Sequence, residues 1–176
     1  MAPPDILIRP AAIADVYALA ERLRDGDRAE ILAIGKDPRR VLRASFRSSL
    51  TPPKVAYVDN DIAAMWGLGG DILSDIGAPW LMTAPAIERI PVAFLKIAQA
   101  ELAAMRARKA RLENWVLADY HKAVRFLGVL GFNLDEPVPV GPKRAMFRRF
   151  WMERPPHENL HPDGVADAAG WQFEAH

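Results

Sequence analysis

Cysteine is absent from the chain, which excludes disulfides, thiolate metal sites and a cysteine nucleophile and agrees with a cytoplasmic setting. No uninterrupted apolar run approaches the ~20 residues that a membrane-spanning helix needs, so no membrane association is expected. The opening Met-Ala-Pro-Pro-Asp lacks the basic and apolar halves of a secretory signal, so the expected location is the cytoplasm. There is no internal repeat and no low-complexity segment. A large excess of either charge is missing too: the formal net charge is +1, which gives no global case for nucleic-acid binding. Lys and Arg are wholly absent from 155–176, which holds Glu158, Asp163, Asp167 and Glu174. Residues 1–154 therefore carry all 23 basic groups against 22 less four acidic ones, a formal +5.

What is present describes an ordinary soluble domain: 176 residues, 51% apolar and 26% charged, enough for one full-sized core. Pro155-Pro156 marks the boundary, since consecutive prolines continue neither a helix nor a central strand. The expected organisation is a domain over 1–154 and a tail over 155–176, acidic and bearing Trp171 and Phe173.

The most informative stretch runs from Pro79 to Phe132. Pro79-Trp80-Leu81-Met82-Thr83 reads as a strand and leads to a helical pattern ending near Arg108. Leu112 to Leu117 reads as a second strand, and a shorter helix closes on Gly131-Phe132. Strand–helix–strand–helix alternation builds a parallel or mixed sheet covered by helices. Ahead of it come a strand over Asp5–Arg9 and a helix whose stripe is Ile13, Val16, Leu19, Ala20 and Leu23. Arg24-Asp25-Gly26-Asp27 reads as a break, with a second helix from Asp27 to Gly35. Asp37-Pro38 caps a third helix. Lys54–Val58 and Ile62–Leu68 around Asp59-Asn60-Asp61 read as a hairpin, and Asp71–Gly77 as a loop. Asn133–Val140 is extended, and Met146–Met152 is a last strand.

This order resembles the GNAT superfamily of acyl-CoA N-acyltransferases. Ile8-Arg9-Pro10-Ala11 with Ala14-Asp15-Val16 is similar to its opening motif, and Ala123-Val124-Arg125-Phe126 with Leu130-Gly131-Phe132 to its last helix. Arg22 to Glu30, Ala78-Pro79-Trp80-Leu81 and Arg111-Leu112-Glu113-Asn114 further resemble small phage-encoded members similar to the T7-type internal virion protein A. The resemblance spans roughly residues 5–154. It implies an α/β, GNAT-like mixed central sheet flanked by helices, a single domain with a C-terminal extension. It also implies transfer of acetyl from acetyl-CoA, as co-substrate, to an amine, with a protein as the expected acceptor. If the gene is a phage's, the setting is the host cytoplasm. The alternative is an inactive GNAT-fold scaffold that serves phage assembly or binds a host protein, with self-association as a further partnership.

In the superfamily, a Gln/Arg-x-x-Gly-x-Gly/Ala turn at a helix N-terminus holds the coenzyme A pyrophosphate. The aligned residues here are Glu88-Arg89-Ile90-Pro91-Val92-Ala93. Pro91 has no N–H to offer and Glu88 is an anion, while Arg89 can contact phosphate directly. The cofactor-binding candidates are therefore the backbone of Leu81, Met82 and Thr83, where a β-bulge would free amides for the pantetheine arm, with Arg89, Val92 and Ala93. Leu127 stands where the superfamily often has a proton-donating Tyr, which makes Tyr120 the candidate acid, with His121 beside it. Candidate proton acceptors are Glu113 and the Asp25/Asp27/Glu30 cluster, Asp27 foremost. Each has a plain alternative: Asp25 and Asp27 as helix-end residues, and Glu113 as the ion-pair partner of Arg111 or Lys109.

Two other patterns stand outside that resemblance. His157-x-x-x-His161 has a helical metal spacing, but Pro162 and the absence of a third ligand argue for no metal. Arg106, Arg108, Lys109 and Arg111 read as the solvated end of the long helix, and Arg148-Arg149 among aromatics either as a contact for a nucleic acid or acidic partner or equally as one polar face of a strand.

Overall fold

The structure, a computed structural model, describes residues 3–155. The histidine spacing at 157–161 and the expected tail, apart from Pro155, lie outside the described residues. The strands are β1 (Ile6–Pro10), β2 (Lys54–Val58), β3 (Asp61–Gly70), β4 (Ile76–Thr83), β5 (Arg111–Leu117), β6 (Asn133–Leu134), β7 (Val138–Val140) and β8 (Ala145–Glu153). The helices are α1 (Ile13–Glu21), α2 (Asp25–Ala33), α3 (Pro38–Arg47), α4 (Pro91–Arg108) and α5 (His121–Val129), with a 3-10 turn over Pro85–Arg89 ahead of α4. All strands join one eight-stranded sheet in the order β1-β2-β3-β4-β5-β8-β6, with β7 also on β8. This is the expected mixed sheet flanked by helices.

Local chemistry explains the frame. Asp37 caps α3 by accepting from the Arg40 amide at 3.0 Å, and Pro38 follows at a position where no N–H is needed. Asp59 and Asn60 take φ of 49° and 67°, the doubly left-handed pair of a type I′ hairpin turn. Buried Val16, Leu19, Leu42, Val55, Ile62 and Met65 pack α1 and α3 on one face of the sheet. On the other face, Ala64, Trp66, Ile87 and Ile90 pack α4, and Leu68, Leu112, Val116 and Phe150 pack α5.

Several expectations need correction. Ile13 is exposed and not part of the α1 stripe. Gly26 does not break a helix: α2 begins at Asp25 and includes it. The loop before β4 ends at Asp75, two residues earlier than expected, and Lys109 is buried, not solvated. Its Nζ donates to the carbonyl of Asp71 at 2.8 Å and also to that of Ser74, which fastens the loop. The β-bulge also falls elsewhere. Pairing of β3 with β4 runs without a shift from Ala64↔Thr83 to Gly70↔Gly77, whereas β2 and β3 slip at Ala56/Tyr57.

One feature of the sheet positions the site. β4 and β5 are parallel and pair only at Ile76↔Arg111 and Gly77↔Leu112. Beyond that the Asn114 amide spans the gap to the Pro79 carbonyl at 3.0 Å, and then the strands part.

Candidate functional site

The opening between β4 and β5 is part of a cavity of about 550 Å³. Its wall includes Trp80 and Met82, which pack toward α1 and α3. It also includes Leu81, Phe94 and Leu127, which pack among the residues of α4 and α5. The cavity therefore passes through the sheet from one helical layer to the other, a size and an apolar lining suited to a small-molecule site.

The edge of β4 supplies backbone to this opening without a bulge. The Pro79 carbonyl takes the Asn114 side chain, and the Thr83 carbonyl takes the Arg24 amide at 3.0 Å. Alternation along the strand puts the N–H and C=O of Leu81 on that same edge, where β5 no longer pairs.

At the α2 end of the cavity sits a cluster of buried polar groups. Asp27 Oδ2 accepts from Thr83 Oγ1 at 2.6 Å, from the Tyr120 hydroxyl at 3.0 Å and from Arg24 Nε at 3.3 Å. Arg24 Nη2 donates in turn to the Tyr120 hydroxyl at 2.7 Å. Burial pushes the Asp27 carboxyl up, against the pull of those three partners. Burial and the neighbouring Asp27 charge push the Tyr120 hydroxyl up as well, so it keeps its proton across the neutral range. Glu30 lies one helical turn from Asp27, also in the cavity wall, and Oε2 accepts from the Leu117 amide at 2.7 Å. With so few donors, burial dominates and pushes Glu30 up to about 7.

Gly26 makes this cluster sterically feasible. The Tyr120 ring lies so close to the first turn of α2 that a Cβ on Gly26 would meet Cε2 at 2.2 Å. In the sequence Gly26 reads only as a breaker, and Arg24 as part of the same break. The adjacent "Asp-Gly-Asp" suggests a turn, and no local signal reports a ring arriving from 94 positions away in sequence.

Next to this cluster along the cavity wall stands the N-terminus of α4. Pro91 is its first residue, and the first helical amide with an acceptor is Phe94, bonded to the Ile90 carbonyl at 2.8 Å. The amides of Val92 and Ala93 are thus the donors this terminus offers. Glu88 is paired with Lys122 at 3.0 Å and with Arg24 at 3.7 Å, which hold its carboxyl below its ordinary range. Its charge is offset, and Lys122 and Arg125 line the same wall.

Four predicted residues fall outside the cavity wall: Arg89, Val92, Ala93 and Glu113. Arg89 turns away from α4 to the β2–β3 hairpin, donating to the Val58 carbonyl at 3.0 Å and to Asp61 at 2.7 Å. Glu113 lines a separate cavity of about 330 Å³ and pairs with Arg111 at 2.7 Å and Arg149 at 4.0 Å. Its neighbour in that ladder, Arg149, is closed by Asp135 at 2.8 Å. Asp27, Tyr120 and Thr83 are brought together and Leu81 and Met82 line the passage, whereas of the α4 N-terminus Pro91 and Phe94 line it and Val92 and Ala93 do not. No group of three or more metal-ligating side chains occurs among the described residues.

No protein-family model matches the sequence, and no curated protein sequence does. Among solved structures, the chain is similar to yncA of Salmonella typhimurium, solved with its cofactor acetyl-CoA. The two share 18% identity and a TM-score of 0.61, over 93% of this chain and 99% of the other. It is similar to a GNAT-family acetyltransferase from Streptococcus pneumoniae at 18% identity and TM-score 0.58, over 85% and 99% of the two chains. It is also similar to a ribosomal-protein-alanine N-acetyltransferase from Brucella melitensis at 17% identity and TM-score 0.63, over 84% and 99%. At these identities the likeness establishes the fold, which is that of the GNAT acetyltransferases.

Proposed function

We infer that the chain is an acyl-CoA-dependent N-acyltransferase that moves acetyl from acetyl-CoA to an amine. The observation that supports this most directly is the cavity through the β4/β5 gap. It joins a helix N-terminus flanked by cations to a buried proton-holding cluster, the two halves that such a transfer needs. The residues present fit the co-substrate. Leu81 offers backbone to an amide-bearing arm, and the Val92 and Ala93 amides with Lys122 and Arg125 offer donors and positive charge to phosphates. When bound, acetyl-CoA supplies the acyl group already activated as a thioester. Tyr120 then holds a proton at the cavity wall for the departing sulfur, and Asp27 fixes that hydroxyl and Thr83 in place.

The finer reading, a protein acceptor and a phage association, rests on the sequence resemblance over 5–154. A second reading, a GNAT-fold scaffold in phage assembly or host-protein binding, draws on two observations: the missing amide at Pro91 and the diversion of Arg89 to the hairpin. Calorimetry or thermal shift with acetyl-CoA separates them. A ligand at a hundred times its dissociation constant adds about 2.7 kcal/mol to the native state. Absence of any shift at millimolar acetyl-CoA rejects the transferase and leaves the scaffold.

A further inference from the structure

The cavity holds two carboxylates with different work to do. Asp27 Oδ2 already accepts three hydrogen bonds, one of them from a cation, and in Arg24 it has a permanent counter-charge. Glu30 has a single donor, the Leu117 amide on Oε2. Its Oε1 has no protein partner among the described residues, and the side chain is part of the same cavity wall. The charged or titratable groups around it are Asp27 of α2, Arg24 at the α2 N-cap and Tyr120 at the α5 N-cap, with Glu88, Lys122 and Arg125 farther out along the wall. The nearest of these charges is Asp27, an anion, which favours a proton on Glu30.

From this geometry we propose that Glu30 is the group that takes the proton from the acceptor amine, with Asp27 as the positioning residue. The assignment rests on the acyl-transfer reading above and deepens it. An ammonium N–H bond breaks, its electron pair stays on nitrogen as the nucleophilic lone pair, and the proton forms an O–H bond at Glu30. The nitrogen then bonds to the thioester carbonyl carbon as the C–S bond breaks. The leaving sulfur keeps that bond's electrons and takes the Tyr120 hydroxyl proton, the acylated nitrogen loses its second N–H proton, which replaces the one Tyr120 gave, and Glu30 returns its own to solvent. The acceptor enters as a primary ammonium, since a buried carboxylate with one open oxygen attracts a cation and then discharges it. A proton acceptor whose pKa lies near 7 suits this exchange at neutral pH.

The test uses the full chain, as wild type and as Glu30→Gln, which preserves shape and an acceptor oxygen for the Leu117 amide. Acetyl transfer from acetyl-CoA to phenethylamine, lysine and a tripeptide with a free N-terminus is followed against pH. For wild type, kcat/KM rises through an inflection near pH 7. In Glu30→Gln the inflection disappears and the rate falls by roughly 10²–10⁴-fold, with KM for acetyl-CoA unchanged. Thermal melts supply a readout independent of turnover. Burial of an ionised Glu30 costs stability as pH rises from its unfolded value to its folded one. The variant should therefore melt above wild type at pH 8.5 and level with it at pH 5. Equal melting at both pH values overturns the assignment, as does an inflection that survives in the variant. If acetyl-CoA binds and none of the amines is acetylated, the transfer reading fails along with the role of Glu30. The melts would then still show a buried acid, so the two failures are distinct.

Discussion

Two Arg–Asp–Tyr triads stand on opposite sides of β3 and β4, built from the same residue types and put to opposite use. In the first, Arg9 grips Asp15 with two bonds of 2.8 Å, Tyr57 adds a third at 2.6 Å, and the Ala12 amide a fourth at 2.7 Å. The partners outweigh burial, and the Asp15 carboxyl falls to about 2. In the second, Arg24 reaches Asp27 at 3.3 Å and Tyr120 does so at 3.0 Å. Here burial outweighs the partners, the Asp27 carboxyl moves up, and Glu30 joins it from the next turn. The first triad locks β1 to α1 and β2 and lines neither of the two cavities described above. The second lines one. Identical chemistry is a clamp where every oxygen is saturated and a proton-handling site where one is left open.

The comparison breaks most sharply at Gly26. Gly26→Ala forces a Cβ to 2.2 Å from the Tyr120 ring, and that ring is held by Arg24 and Asp27. Overpacking of this kind costs about 1–3 kcal/mol, and displacement of the Tyr120 hydroxyl should lower acetyl transfer on the order of 10²-fold or more. Thermal melts and turnover together check it; unchanged turnover would remove Tyr120 from the mechanism.

The clamp should answer to acid instead. The folded Asp15 carboxyl lies below its ordinary 3.8, at about 2. Its stabilising contribution is therefore present above pH 4 and lost as pH falls from about 4 to about 2. The difference is about 2 kcal/mol. Asp15→Asn should show that loss at pH 7, flatten the pH dependence of unfolding in this window and leave turnover unchanged. Chemical denaturation at pH 2.5, 4 and 7 reads it; a variant as acid-sensitive as wild type would refute the assignment.

What was legible in the sequence follows from range. Periodicity, Asp37-Pro38 and Asp59-Asn60 act within a few residues, so the strands, caps and hairpin could be read directly. Lys109 could not, because the carbonyls that bury it lie at 71–74, across the sheet. Arg89 and Glu113 looked like site residues by position along their elements. Whether they face the cavity depends on Asp61, Arg111 and Arg149, which only folding brings to them. Glu30 was visible as one of several acids, but its distinction from Asp27 is a matter of how many donors each one meets.

The N-terminus of α4 sharpens the contrast further, since it offers two amides where a third is removed by Pro91. Pro91→Gly would restore that donor to a charged ligand, worth about 1.5–3 kcal/mol, against about 1 kcal/mol for glycine in a helix. The net expectation is roughly tenfold tighter acetyl-CoA by calorimetry, and unchanged affinity would show that phosphate does not sit at α4.

The smallest effect belongs to Glu113. It is partly exposed and shares Arg111 with Glu153 at 2.9 Å, while Arg149 already has Asp135. Its loss leaves neither arginine without an anion, so Glu113→Ala should cost at most about 0.5 kcal/mol. Acetyl transfer should be unaltered, because Glu113 opens onto the smaller cavity and not onto the passage between β4 and β5. A large fall in turnover would mean that the acceptor lies over β5, and the proton would then leave on that side of the sheet instead of through Glu30.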